Sequence, residues 1–253
     1  WRLIAAALVS ISAAYVARFL AWVRLSGSMS LRAPAAVAAR AYFLSMLGRY
    51  VPGKLGLTLV RIEAYGDRPA GLVVLATAVE LVCSITAALL LAFIGFSSTP
   101  VYLSGTVRWL PLALVPLLLS MLSRPAIQRI AAAVSRFTGA VPFERVPRLG
   151  SILLSVALYI VPGLLHGLGL LCVLNAFVAV PAGHYLAVAG AYYAANLAGL
   201  VAFFAPGGIG VREGVLFLVL PALVGKEAAI VAALVARLLT LAAELLLAGA
   251  FSV

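Results

Sequence analysis

From Leu149 to Val211 the chain runs for 63 residues without one Asp, Glu, Lys or Arg. A soluble fold needs charge on its outward faces, and a run of this length has none to offer. Mean hydropathy of +1.20, with only 10% charged residues overall, extends the same constraint to the whole chain. The expectation is an all-α polytopic membrane protein, because a lipid-exposed backbone must satisfy its own polar groups and helices do so within one segment. A bilayer core takes roughly 20 helical residues per crossing. Apolar segments fall at about 3–23, 34–48, 55–62, 70–96, 109–123, 150–179, 184–204, 208–224 and 227–250, within a single membrane domain, 1–253.

The 18 basic residues outnumber the 7 acidic ones, yet they sit mainly at the edges of apolar segments and form no stripe interleaved with aromatics. This pattern excludes nucleic acid as a partner and points to topology and anionic lipid. Residues 124–148 carry Arg124, Arg129, Arg136, Arg145 and Arg148 against Glu144 alone, which places that loop in the cytoplasm. Within it, 126–137 has the periodicity of a surface helix on the inner leaflet. The uncharged stretch 97–107 fits the outer side. Cys83 and Cys172 lack metal-ligand spacing and read as small core residues, so no metal or other cofactor is expected. The chain opens on Trp1 within an apolar segment, with neither Met nor a basic leader, which reads as a piece of a longer protein and not as a signal peptide.

A short element occurs twice, as YVPGKLG at 50–56 and FAPGGIG at 204–210. Proline removes a donor and crowds the preceding turn, and the glycines admit positive φ, so each copy ends one helix and starts another. Counting crossings outward from the cytoplasmic loop makes 34–62 a hairpin entering from inside and 184–224 a hairpin entering from outside. Each is preceded by one span (3–23 or 150–179) and followed by another (70–96 or 227–250). The expectation is about six spans plus two re-entrant hairpins in an inverted repeat. Its halves are 1–96 and 150–250, joined by the span 109–123 and the basic loop. A third PG, at Pro162–Gly163, lacks the sequel and reads as an ordinary dipeptide.

Broken backbone at membrane depth is tolerated where it is buried in protein or lines a wet cavity, and the start of each second half-helix presents N–H donors to that space. An anion is the ligand favoured there. Candidate lipid- and anion-binding residues are Arg49, Lys54, Arg212 and Glu213 with Gly53, Gly56, Gly207, Gly208 and Gly210, and Pro52 and Pro206 mark the hairpin tips. For Arg49 and Lys54, snorkelling to the inner interface is an equal alternative. Glu213 can also act locally, on the dipole of its own helix start. Glu80, Arg237 and Glu244 form a candidate intramembrane charge network, in which the matching positions of Glu80 and Arg237 in the two halves make them an expected ion pair. His166, His184, Asn175, Asn196, Tyr192 and Tyr193 read as packing or interface residues. No catalytic triad or metal motif appears, so no enzymatic activity is expected.

The stretches GRYVPGKLG (48–56), TAVELV (77–82), APGGIGVREGVL (205–216) and ARLLTL (236–241) resemble the flippase-like membrane domain of lysylphosphatidylglycerol synthases and its stand-alone bacterial and archaeal relatives. The resemblance implies a multi-pass domain of the cytoplasmic membrane that moves an anionic phospholipid or polyprenyl-phosphate-linked lipid. The lysyl-transferring domain of that family has no counterpart in this chain. Two alternatives stay open: a scaffold for a partner synthase or glycosyltransferase, and an intramembrane enzyme using Glu80 or Glu213 as acid or base.

Overall fold

The structure is a computed structural model, and it describes residues 1–51, 55–98, 109–138, 147–202 and 205–252. Helices follow the hydropathic runs: α1 (Arg2–Ser28), α2 (Ala35–Gly48), α3 (Gly56–Tyr65), α4 (Ala70–Ser97), α5 (Leu110–Met121), α6 (Arg124–Thr138), α7 (Leu149–Asn175), α8 (Tyr185–Val201), α9 (Val211–Val219), α10 (Pro221–Val224) and α11 (Lys226–Ala250). No strand occurs among the described residues. Proline and glycine set the breaks. Pro34 and Pro69 stand immediately before α2 and α4, and Gly225, at φ 80°, separates α10 from α11. Pro162 breaks nothing: α7 runs through it.

Four helices, α1, α4, α7 and α11, are long and apolar enough to cross a membrane. Where a crossing is expected at 109–123, the described helix is the short α5. Helix α5 has 12 residues, which is about 18 Å of rise against a core of about 30 Å, and it turns by 63° into α6. Only the bent pair taken together would make a fifth span. Helices α2 and α3, at 14 and 10 residues, are each too short to cross alone and fold back on one another.

Helix α1 lies along α7, and α4 lies along α8. Small residues permit the second contact: a Cβ on Gly95 would come within 2.5 Å of the Gly190 backbone. Helix α2 packs on α11, α3 on α4, and α9 on α8 and α11. One apolar cluster joins Ile11, Trp22, Phe43 and Val79 to Ile127 of α6 and Tyr159 of α7; a second joins Leu170, Val188, Leu216, Leu220 and Ala233. Gly207 of the second glycine-proline element lies against Tyr50 of the first.

Candidate functional site

The chain's charges are sorted by depth. Among the described residues, Arg61, Glu80, Glu213 and Glu244 are buried, Arg18, Arg49, Arg212 and Arg237 are half-buried, and every other charged residue is exposed. Arg49, Glu213, Arg237 and Glu244 gather where Gly207 meets Arg49 and Tyr50.

At that point the Gly207 amide donates to the Arg49 carbonyl at 3.0 Å, so the residues flanking the two elements touch through backbone. Gly207 holds φ 61°, and a Cβ there would strike the Tyr50 ring at 2.4 Å, so both its conformation and its neighbour require glycine. Gly208 and Gly210 follow at φ 71° and 82°. Gly56 sits against the Gly48 carbonyl across the first hairpin. Pro206 opens a single 3-10 turn, Pro206–Gly208. The expectations for Pro52, Gly53 and Lys54 lie outside the described residues.

Three ion pairs organise the depth charges. Glu244, with 0% exposure, accepts from the Tyr15 hydroxyl and from Arg49 at 3.1 Å on one oxygen, and from the Tyr50 hydroxyl at 2.8 Å on the other. Arg49 also donates to the Met46 carbonyl at 2.9 Å. It is therefore engaged with α11 and does not snorkel. Arg61 pairs with Glu80 at 2.5 Å and donates to Ser45 Oγ at 3.0 Å. Its guanidinium lies 4.1 Å from the Trp22 ring centroid and 4.9 Å from that of Tyr42. Arg237 meets Glu213 at 3.4 Å and the Gly207 carbonyl at 3.4 Å, and stands over the Tyr50 ring at 5.6 Å. Glu213 also accepts from the Gly210 amide at 2.7 Å, closing the start of α9.

The expected Glu80–Arg237 pair is thus corrected: each of the two is paired within its own half. In the first half a cation on the returning hairpin arm (Arg61, α3) meets an acid on the next span (Glu80, α4). In the second, an acid on α9 (Glu213) meets a cation on α11 (Arg237). Matching positions in two halves do not imply proximity, because an arm lies closer to its own following span. Glu244 joins the network through Arg49, and not through Arg237 seven residues before it.

Arg212 donates to the Tyr192 hydroxyl at 3.2 Å and lies over the Tyr192 ring, which makes Tyr192 a polar partner and more than packing. His166 stacks on Tyr192 with centroids 5.0 Å apart, sits edge-on to Tyr15, and hydrogen-bonds the Pro162 carbonyl through Nδ1 at 2.9 Å. Two buried donors, Arg237 Nη1 and the Tyr159 hydroxyl, have no hydrogen-bond partner among the described residues. Sequence reasoning passed over Arg18, Arg61, Tyr15 and Tyr50 as members of this site. For Arg18 the signal was present: it is a lone cation well inside the apolar segment 3–23, the same argument that singles out Glu80. No group of three or more potential metal ligands occurs among the described residues. Such an arrangement holds fixed donors of net positive charge in a water-poor interior, which suits an anionic oxygen ligand.

Searches against protein-family models and against curated proteins find no match to this chain.

Proposed function

We propose that the chain is a lipid translocase of the cytoplasmic membrane of a bacterium or archaeon, passing the head group of an anionic, phosphate-bearing lipid between the two broken hairpins while the acyl tails stay in the bilayer. The observation that carries this reading is the contact of Gly207 with Arg49, which brings two helix breaks and their flanking guanidiniums to one point inside the helical bundle. Backbone irregularity at that depth is retained where it lines a path for a polar group. A head group must leave water to cross, and oriented donors replace part of its hydration.

The packing partners support an inverted repeat with re-entrant hairpins as the frame. Exchanging α1 with α7, α2 with α8, α3 with α9 and α4 with α11 turns the α4–α8 contact into α11–α2, and α3–α4 into α9–α11. The α1–α7 contact maps onto itself, as expected for the pair nearest a pseudo-two-fold axis. Likeness to the membrane domain of lysylphosphatidylglycerol synthases points the same way. The test is scrambling of fluorescent lipids in proteoliposomes. Wild type should move anionic lipids, and Arg212→Ala should slow them about tenfold by removing one charge-assisted contact. Absence of transport for every lipid tried would favour a scaffold for a partner enzyme.

A further inference from the structure

Counting charges inside the bundle leaves a remainder. Five guanidiniums (Arg18, Arg49, Arg61, Arg212 and Arg237) face three carboxylates (Glu80, Glu213 and Glu244), and the three ion pairs use Arg49, Arg61 and Arg237. Arg18 and Arg212 have no carboxylate within ion-pair distance among the described residues. An uncompensated cation at this depth persists when something else meets its charge.

The position of Arg18 shows which way it faces. Its helical neighbours on one side of α1 are Ala14, Tyr15, Ala21 and Trp22, at 0%, 2%, 1% and 0% exposure, so Arg18 belongs to the buried stripe and not to the lipid face. Arg18 itself is nonetheless partly accessible. Arg212 donates to the Tyr192 hydroxyl, Tyr192 stacks on His166, and His166 sits edge-on to Tyr15, one turn from Arg18 on the same side of α1, so one aromatic chain links the two arginines. Tyr159 belongs to the same buried cluster as Tyr15 and Trp22, and its hydroxyl, without a hydrogen-bond partner among the described residues, can donate to an incoming oxygen.

We propose that this interior recognises a lipid head group carrying two negative charges on phosphate, a phosphomonoester or a diphosphate, with Arg18 and Arg212 as its two cationic ligands and the Tyr159 hydroxyl as a neutral donor. The inference rests on the anionic-lipid reading above and narrows it. One charge would leave one guanidinium unmatched, and a cationic head group would meet a net positive interior. A planar, permanently charged guanidinium suits phosphate oxygens better than a point charge does.

The experiment uses the full chain in lipid nanodiscs at pH 8, where a phosphomonoester carries close to two charges. Bound lipid is read by native mass spectrometry against phosphatidylcholine, phosphatidylglycerol, phosphatidic acid and a prenyl diphosphate, with inorganic diphosphate as the free-anion arm. Wild type should retain the two doubly charged lipids about tenfold over phosphatidylglycerol, the value of one further charge-assisted contact. Arg18→Gln and Arg212→Gln should each abolish that preference, Arg18→Lys should keep part of it, and Arg129→Gln on the exposed face of α6 should leave it intact. The melting midpoint of Arg18→Gln should hold or rise, since an unpaired charge is removed, whereas a purely structural arginine would lower it. Equal retention of phosphatidylglycerol and phosphatidic acid overturns this inference alone. Retention of no charged lipid overturns the translocase reading with it. Binding of inorganic diphosphate as tight as that of the prenyl diphosphate overturns the lipid assignment.

Discussion

The Arg61–Glu80 pair is the most enclosed contact between charges, with side chains 3% and 8% exposed and the cation faced by two aromatic rings. Removing one partner of such a pair leaves a stranded charge, at a cost of about 3–5 kcal/mol. Glu80→Gln should therefore lower the melting midpoint sharply, and adding Arg61→Met should recover a large part of the loss. The same Glu80→Gln combined with Arg237→Gln should be additive, because the two residues belong to different pairs. A thermal-shift double-mutant cycle reads both couplings, and strong Glu80–Arg237 coupling would contradict the geometry. Gly207→Ala tests a different cost. A left-handed φ costs an L-residue roughly 1–2 kcal/mol, and the Tyr50 ring adds a clash. Tyr50→Ala in the same chain should relieve the clash and keep the backbone strain, giving partial rescue of stability. These partnerships were not legible in the sequence. Spacing tells which residues lie deep, but the partner of a charge depends on how neighbouring helices are rotated and on which arm lies nearest.

At the scale of elements much more could be read. The segments 34–48, 70–96 and 227–250 fall within a residue or so of α2, α4 and α11, because an apolar run bounded by Pro, Gly or charge leaves a helix little choice of ends. Two ends went wrong for identifiable reasons. Helix α7 stops at Asn175 and not at 179, where the Asn175 side chain accepts from the Val180 amide and offers the backbone a competing partner. The segment 109–123 is apolar throughout, yet its helix is short and bent, and hydropathy carries no information about a bend. The α4–α8 crossing was not foreseen from its glycines. Gly95→Val should push these helices apart and cost about 1–3 kcal/mol or more of stability. Gly183→Val, where an added Cβ meets nothing, should stay within about 0.5 kcal/mol in the same denaturation assay.

Across the whole molecule, several of the exposed basic residues gather where one set of helix ends lies. Arg24 and Arg32 line a cavity of about 270 Å³ with Ser28, Ser151 and Ser155, joining the end of α1 to the start of α7, and α6 brings Arg124, Arg129 and Arg136. Under the positive-inside rule this face is expected on the cytoplasmic side, with α7 and α11 running in opposite senses between the two surfaces. A cysteine at exposed Ala133 on α6 should resist membrane-impermeant maleimide in intact cells, and one at Lys226, at the start of α11, should react; the reverse result would invert the molecule. The contact between the hairpins has a further consequence for how this protein can be studied. The link from Gly207 to Arg49 runs main chain to main chain, so ordinary mutagenesis cannot delete it: every residue that fits the conformation at 207 brings the same amide, and proline, which lacks it, cannot adopt φ 61°. If inward- and outward-open forms exchange by parting the tips, the fastener between them is invisible to alanine scanning. An amide-to-ester replacement at position 207 in a semisynthetic chain should loosen it by about 1 kcal/mol and speed exchange severalfold, with every side chain in place.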